Sequence, residues 1–434
     1  MTSRLPPLDR RILGLALPAL GALAADPLLS LADTFFVGRL GAVELAALGV
    51  DAALFAFAFA LFNFLAYATT PMVASAVGRG ADSEAGRVVA RALTVAAVLG
   101  VAALAVFLVG APAMVSLMRA PAEVVEPAVE YLRIRSLSIP ALLVITAGHG
   151  AFRGFQDTRT PLRIALVANG VNIALDPLFM FAAGLGLAGA AWATVIAQWG
   201  AAAWFLTLLG ARARRQGWDR RIPGLVELTP FLRVGGVLVV RTLMLVVALA
   251  ASTAAAASIG VEEVAAHQVV VQVWFLLAML VDALAIVGQA MVAEAWGRDD
   301  RAGARRVAAR LLRWGLGVGI ALGAVLALLG PYLGPWFSSD PAVAALVGEA
   351  AVVAALMQPV AALVFVLDGV FLGTLSIRLL AASTAAGLAA ALALLGVTLA
   401  LGWGLVGVWW SIAGMVGARG LVLGFFYVRT WSRA

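Results

Sequence analysis

Long apolar blocks follow one another along the whole chain, separated by short segments of polar residues, glycine, proline and arginine. Crossing about 30 Å of hydrocarbon takes roughly 20 helical residues, and the blocks reach that length. Strict apolar–polar alternation is absent, so helices rather than an outer-membrane barrel satisfy the backbone. The pattern predicts twelve membrane-spanning helices, six per half. In the first half they lie near Ile12–Val37, Leu45–Val73, Val88–Met114, Ala128–Phe152, Leu162–Ala183 and Leu187–Leu209. In the second they lie near Leu228–Ile259, Val264–Val292, Val307–Leu333, Val343–Leu372, Leu379–Leu401 and Leu405–Tyr427.

The two halves are copies. A shift of 219 residues (Gly260 − Gly41) lays L-G-A-V-E-L-A-A at Leu40–Ala47 on I-G-V-E-E-V-A-A at Ile259–Ala266. The same shift lays Met72-Val-Ala-x-Ala-x-Gly-Arg79 on Met291-Val-Ala-x-Ala-x-Gly-Arg298, and Gly150-x-Phe-x-Gly154 on Gly369-x-Phe-x-Gly373. One residue short of it, Gly184-x-Gly-Leu-x-Gly-x-x-Trp192 meets Gly402-x-Gly-Leu-x-Gly-x-x-Trp410. Duplicated halves in a membrane chain point to a pseudo-symmetric transporter with its site between them. The expected fold is all-α, with two six-helix lobes: residues 1–211, a linker at 212–227, and residues 228–434.

Composition agrees: 63% of residues are hydrophobic, 12% are charged, and the mean hydropathy is +1.03. The net charge of +7 comes from arginine alone, since the chain has no lysine. Nucleic acid is excluded as the partner of this charge, because the arginines occupy alternate loops. One set holds Arg4, Arg10 and Arg11, then Arg79, Arg87 and Arg91, then Arg153, Arg159 and Arg163. It continues through Arg212–Arg221 and Arg298–Arg313 to Arg429 and Arg433, whereas the opposite loops offer little beyond Arg39, Arg119, Arg133 and Arg135. By the positive-inside rule both termini are cytoplasmic, in a cell inner or plasma membrane. Without cysteine, disulfide and thiol chemistry are absent. The amino terminus imitates a secretory leader, but its removal would leave the Leu228–Ile259 helix without a first-half counterpart, so it reads as a retained helix.

Symmetry supplies a background for function. A central Asp costs at least about 2.5 kcal/mol to insert, so each intramembrane polar group needs a reason. The first helix holds Asp26 and Asp33, two turns apart on one face, with Pro18 and Pro27 as bending points. The fifth holds Asn169, Asn172 and Asp176 as one stripe. Shifted by 219, Asp33 becomes Ser252, Asn169 becomes Leu388, Asn172 becomes Ala391 and Asp176 becomes Leu395. A symmetric structural role would have left polar groups in both halves. For Asn169 and Asn172 interhelical hydrogen bonding is the plain alternative; Asp33 and Asp176 have no packing merit. The second half has Gln268, Gln272, Asp282, Gln289 and Asp368. Asp282 is either a partner for buried Arg241 or a cavity-facing acid that attracts a cationic substrate; Asp368 is either that or a partner for Arg419. His149 fits packing, or a proton relay.

Leu31-Ala-Asp-Thr-Phe-Phe-Val-Gly-Arg-Leu-Gly41 with Leu45-Ala-Ala-Leu-Gly49 resembles the first-helix signature of the MATE multidrug antiporters. Asp26-Pro-Leu-Leu-Ser-Leu-Ala-Asp33, Ala265-Ala-His-Gln268 and Asp282-Ala-Leu-Ala-Ile-Val-Gly-Gln289 resemble the DinF-like branch. The resemblance implies two lobes in a V, alternating access, and export coupled to inward H⁺ or Na⁺. Its cation site falls on Asp33, Asn172, Asp176 and Thr194, its helix-bending proline on Pro18, and a further asparagine position on His149. Substrate-cavity residues are expected at Asp282, Asp368, Gln272, Gln289 and Arg241; a cavity lined by Phe, Met and Trp with a few acids suits amphipathic organic cations. No cofactor beyond the coupling ion is expected, and the partners are the bilayer and the substrate, for a monomer. A lipid-linked precursor flippase would need several cavity arginines to hold pyrophosphate, and only Arg241 and Arg419 qualify. An intramembrane enzyme lacks its motifs, with two histidines and no H-E-x-x-H or G-x-S-x-G.

Overall fold

The computed structural model describes residues 6–219 and 221–431. Arg4, Arg220 and Arg433 of the arginine-rich segments lie outside the described residues. The amino-terminal half forms α1 (Pro7–Val37), α2 (Ala42–Phe62), α3 (Phe64–Gly78), α4 (Asp82–Leu117), α5 (Ala122–Ser136), α6 (Ile139–Gly154), α7 (Arg159–Pro177) and α8 (Gly186–Gln216). The other half forms α9 (Leu225–Ile259), α10 (Val261–Gly297), α11 (Arg301–Phe337), α12 (Pro341–Gly373), α13 (Ile377–Leu401) and α14 (Gly404–Trp431). A five-residue π-helical turn, Leu178–Ala182, follows α7.

Among the described residues, 11 helical stretches are long and apolar enough to cross a membrane, with Ala42–Gly78 counting as one. The difference from the expected twelve is the span at Ala128–Phe152, which is split between α5 and α6, of 15 and 16 residues. Pro140 in the first turn of α6 has no N–H for the carbonyl of Ser136, the last residue of α5, so the ladder cannot run on through it. Other ends follow ordinary rules. Asp300 and Asp340 cap α11 and α12 through their side chains. Gly217 and Gly402 close α8 and α13 in the left-handed region, at φ 63° and 68°.

The chain gathers into two compact units whose boundaries depart from the expected lobes. The amino-terminal unit is Leu17–Gly235; the carboxy-terminal unit is Gly236 onward together with α1 through Ala16. Side chains explain why the start of α1 joins the later residues. Asp9 is buried, accepts from the Trp314 indole at 2.9 Å and forms a two-pronged pair with the Arg310 guanidinium. Arg11 reaches Glu294 at 2.6 Å, and Ile12 is enclosed by a core that includes Met291, Leu311 and Val370. The stretch expected as a linker is equally committed. α8 continues to Gln216, and Trp218 folds into the amino-terminal core with Val88, Phe152 and Phe205. Arg212 lies 3.7 Å over the Phe155 ring, which stacks on Trp218.

The sequence repeat is also a packing repeat. A Cβ on Gly150 would meet Ala66 and Thr69 of α3, and one on Gly154 would strike Val73 at 2.7 Å. In the second copy a Cβ on Gly369 would strike the Ala285 backbone, and one on Gly373 would meet Val292 at 3.1 Å. Ala66 and Ala285, like Val73 and Val292, are the same positions 219 residues apart. The G-x-F-x-G motif is therefore a small-residue seam that lets two backbones touch, the usual device between helices in lipid.

Candidate functional site

In the amino-terminal unit α1 supplies Asp33, α7 supplies Asn172 and Asp176, and α8 supplies Thr194. Spacing of four on α7 stacks Asn172 and Asp176 on one face, where both are fully buried. With its amide nitrogen turned to the acids, Asn172 donates to Asp33 Oδ1 and Asp176 Oδ2, each at 3.1 Å. Its oxygen then faces Thr194 Oγ1 and the Thr194 backbone nitrogen, also at 3.1 Å. Turned the other way, the amide oxygen converges with the two carboxylates, and its nitrogen donates to Thr194 Oγ1. Asn172 thus holds Asp33 and Asp176 at one point, within electrostatic reach of each other. Asp176 directly precedes Pro177, where α7 gives way to the π-helical turn, a helix defect that is frequent at functional positions.

Other expected members of this cluster lie elsewhere. Asn169 donates to the backbone oxygen of Ala25 at 2.7 Å, tying α7 to α1 beside Asp26 and Pro27. Asp26 is exposed. His149 packs on the Phe205 ring, with centroids 5.2 Å apart. Pro18 and Pro27 both stand inside an unbroken α1, each removing one ladder hydrogen bond.

In the carboxy-terminal unit Arg241, one of the two alternatives for Asp282, has a different partner. Arg241 instead bonds Asp368 Oδ2 at 2.6 Å, and Arg419 bonds the same oxygen. All three are buried. Asp368 is thus matched by two guanidiniums and offers no negative charge to a substrate. Asp282 is half-buried, Gln289 buried, and Gln268 and Gln272 exposed. At the counterpart of Asp33, Ser252 faces buried His267 at 3.4 Å.

One group escaped the sequence reasoning. Asp51 on α2 is 0% exposed, and neither carboxylate oxygen has a hydrogen-bond partner. The half-to-half comparison contained the signal: Asp51 shifted by 219 is Val270, also 0% exposed. Arg135, taken above for a loop arginine, is half-buried on α5, donating to Ser138 and to Gln198 at 3.3 Å.

Duplicated halves, membrane-length helices and an intramembrane acid pair define a multi-pass transporter of the pseudo-symmetric helical kind. The MatE family model matches residues 18–178 and 238–406, and the chain belongs to that family of multidrug and toxic compound efflux transporters. It is 35% identical to Protein DETOXIFICATION 44, chloroplastic, of Arabidopsis thaliana, over 83% of this chain and 71% of that one. It is 27% identical to DNA damage-inducible protein F of Escherichia coli (strain K12), over 98% and 93%. Among solved structures, a MATE protein in its bent conformation has the same fold, with TM-score 0.90 at 22% identity over 99% and 97% of the chains.

Proposed function

We propose that the chain exports amphipathic organic compounds in exchange for H⁺, by alternating access. The observation that carries this reading is the Asp33–Asn172–Asp176 cluster, an acid pair joined by an amide and present in one half only. Proton occupancy sets the charge of this cluster, and the pair titrates as a unit. Charge at Asp33 then acts on α1, whose prolines make bending cheap. A proton shifts such an equilibrium only through its differential affinity for the two conformations. The concentration of arginine in alternate loops of the sequence supports cytoplasmic termini in a cell inner or plasma membrane.

Substrate chemistry is narrowed by the second unit. Arg241 and Arg419 both bond Asp368, which counts against a flippase that would use them for pyrophosphate. The pairing removes Asp368 as a cation acceptor too. Na⁺ coupling is a second reading, favoured by one observation: with its oxygen inward, Asn172 converges on the same point as two carboxylates. Hard oxygen donors suit a hard cation. Purified protein in proteoliposomes, given proton and sodium gradients separately with fluorescent organic cations, separates the two. Asp33→Asn abolishes gradient-driven export while insertion persists; wild-type rates in that variant refute the mechanism.

A further inference from the structure

Asp51 has no role in the mechanism above, yet it is the least compensated polar group among the described residues of the amino-terminal unit. It is wholly buried, and both of its oxygens lack a donor. An enclosed carboxylate in that condition must carry a proton or meet a counter-charge. Packing does not call for an acid at this place, because Val270 fills the equivalent position of the other half. The neighbours repeat this asymmetry: Tyr131 and Arg135 of α5 become Ala350 and Ala354, both fully buried. A polar set thus stands in one copy where the other copy has plain core.

Its members interact. Arg135 stacks over the Phe55 ring at 4.8 Å, and Phe55 lies one helical turn after Asp51 on the same face of α2. Arg135 is the cation whose charge acts on Asp51. It acts also on Asp26, Asp33 and the Tyr131 hydroxyl. Tyr131 in turn lies within electrostatic reach of Asp33, Asp51 and Asp176. Arg135 itself is hydrogen-bonded only to neutral groups, Ser138 and Gln198. A buried acid without a donor therefore stands one turn from the ring that the Arg135 guanidinium covers. That guanidinium has no carboxylate partner among the described residues.

We propose that Asp51 is a second proton-binding site of the amino-terminal half, with Arg135 as its counter-charge when the proton leaves. On uptake, one oxygen of Asp51 becomes a hydroxyl and Arg135 stays with Ser138 and Gln198. On release, the proton passes to water and Arg135 turns to the carboxylate. Arg135, whose charge acts on both Asp51 and Asp33, connects this site electrostatically to the Asp33–Asp176 pair, so the occupancy of one biases the other. The part that Asp51 plays in transport rests on the proton-coupled reading above; its protonation does not.

Infrared difference spectroscopy on protein in lipid, stepped in pH, reads the C=O stretch of protonated carboxyls directly. One such band is lost in Asp51→Asn, while a separate band is lost in Asp33→Asn. Should the Asn variant not insert, Asp51→Glu keeps the acid and displaces the same band. Carboxyl bands identical in wild type and the Asp51 variants overturn the proposal. Arg135→Gln keeps the Asp51 band present to more alkaline pH, since loss of a counter-charge favours the neutral form; an undisplaced band overturns the assignment of Arg135. In proteoliposomes Asp51→Asn moves one proton fewer per exported molecule, and an unchanged count overturns its part in coupling. A wild type that moves no protons with substrate refutes proton coupling, while the infrared band still decides Asp51.

Discussion

Replacing Asp368 by Asn is the sharpest test of how the carboxy-terminal unit is held together. Both Arg241 and Arg419 bond the same Asp368 oxygen, and the side chains are 5–11% exposed, so water compensates little. The native group has one positive charge in excess; the variant has two and no anion. Guanidiniums that share one acceptor atom sit about 5 Å apart, where an effective dielectric near 20 gives roughly 3 kcal/mol of repulsion. Breaking a buried ion pair costs about 3–5 kcal/mol in general, in agreement. For a unit of some 200 residues this lowers the unfolding midpoint by about 6–12 °C. Intrinsic tryptophan fluorescence in detergent reports the transition, since Trp409 is fully buried in this unit. Charge counting also predicts an asymmetry. Arg419→Gln leaves a neutral Arg241–Asp368 pair and costs far less than Asp368→Asn, and adding Arg419→Gln to Asp368→Asn recovers part of the loss. If Asp368→Asn melts with the wild type, or if Arg419→Gln is the more damaging change, the electrostatic account is wrong.

The glycine seams give a matched pair. Gly150→Leu and Gly369→Leu each force a side chain into facing backbone and cut folded yield, overpacking of a kind that costs about 1–3 kcal/mol or more; Gly424→Ala, which meets nothing within 4 Å, leaves yield unchanged. Trp218→Ala empties a site in the amino-terminal core and lowers the melting temperature by the equivalent of about 3–5 kcal/mol; an unaffected melt would make residues 212–227 the tether the sequence suggested. Asn169→Ala removes the bond to Ala25 and costs about 0.6 kcal/mol, at most roughly 1.7. Proton-coupled export persists in that variant, and its loss in the transport assay would return Asn169 to the cation site.

Much of the fold was legible because a bilayer enforces it. Apolar length locates the helices, and the 219-residue repeat identifies two copies. Two features were not legible. The α5–α6 break falls at Pro140, where a charged helix meets an apolar one, and a single span over Ala128–Phe152 averages across that boundary. The assignment of the first helical turns to the later half depends on Asp9 meeting Arg310 and Trp314, some 300 residues away in sequence. Hydropathy has no register for such partners. The same limit explains Arg241, which the sequence offered to Asp282 and the fold gives to Asp368.

The cluster itself was legible through subtraction. Asp33, Asn172 and Asp176 stood out because Ser252, Ala391 and Leu395 occupy their places in the second copy, and the structure brings those three together. Asp51 obeys the same rule with Val270, but reading along helix faces hid it, since the other polar residue on its stripe of α2, Glu44, stands in the first turn of the helix and marks an end rather than a site. Its neighbours come from α5, and only folding puts Tyr131 and Arg135 beside it. A duplicated membrane chain holds its own comparison: where one copy is apolar core and the other buries a charge, apolar packing does not call for that charge, and the reason is either ion pairing, as for Arg241 opposite Ala22, or chemistry. Among the described residues, the buried acids without a cationic partner lie in the copy that also has the prolines of α1 and the helix defect after Asp176. Charge and hinge in the same half are what an ion-driven bend requires.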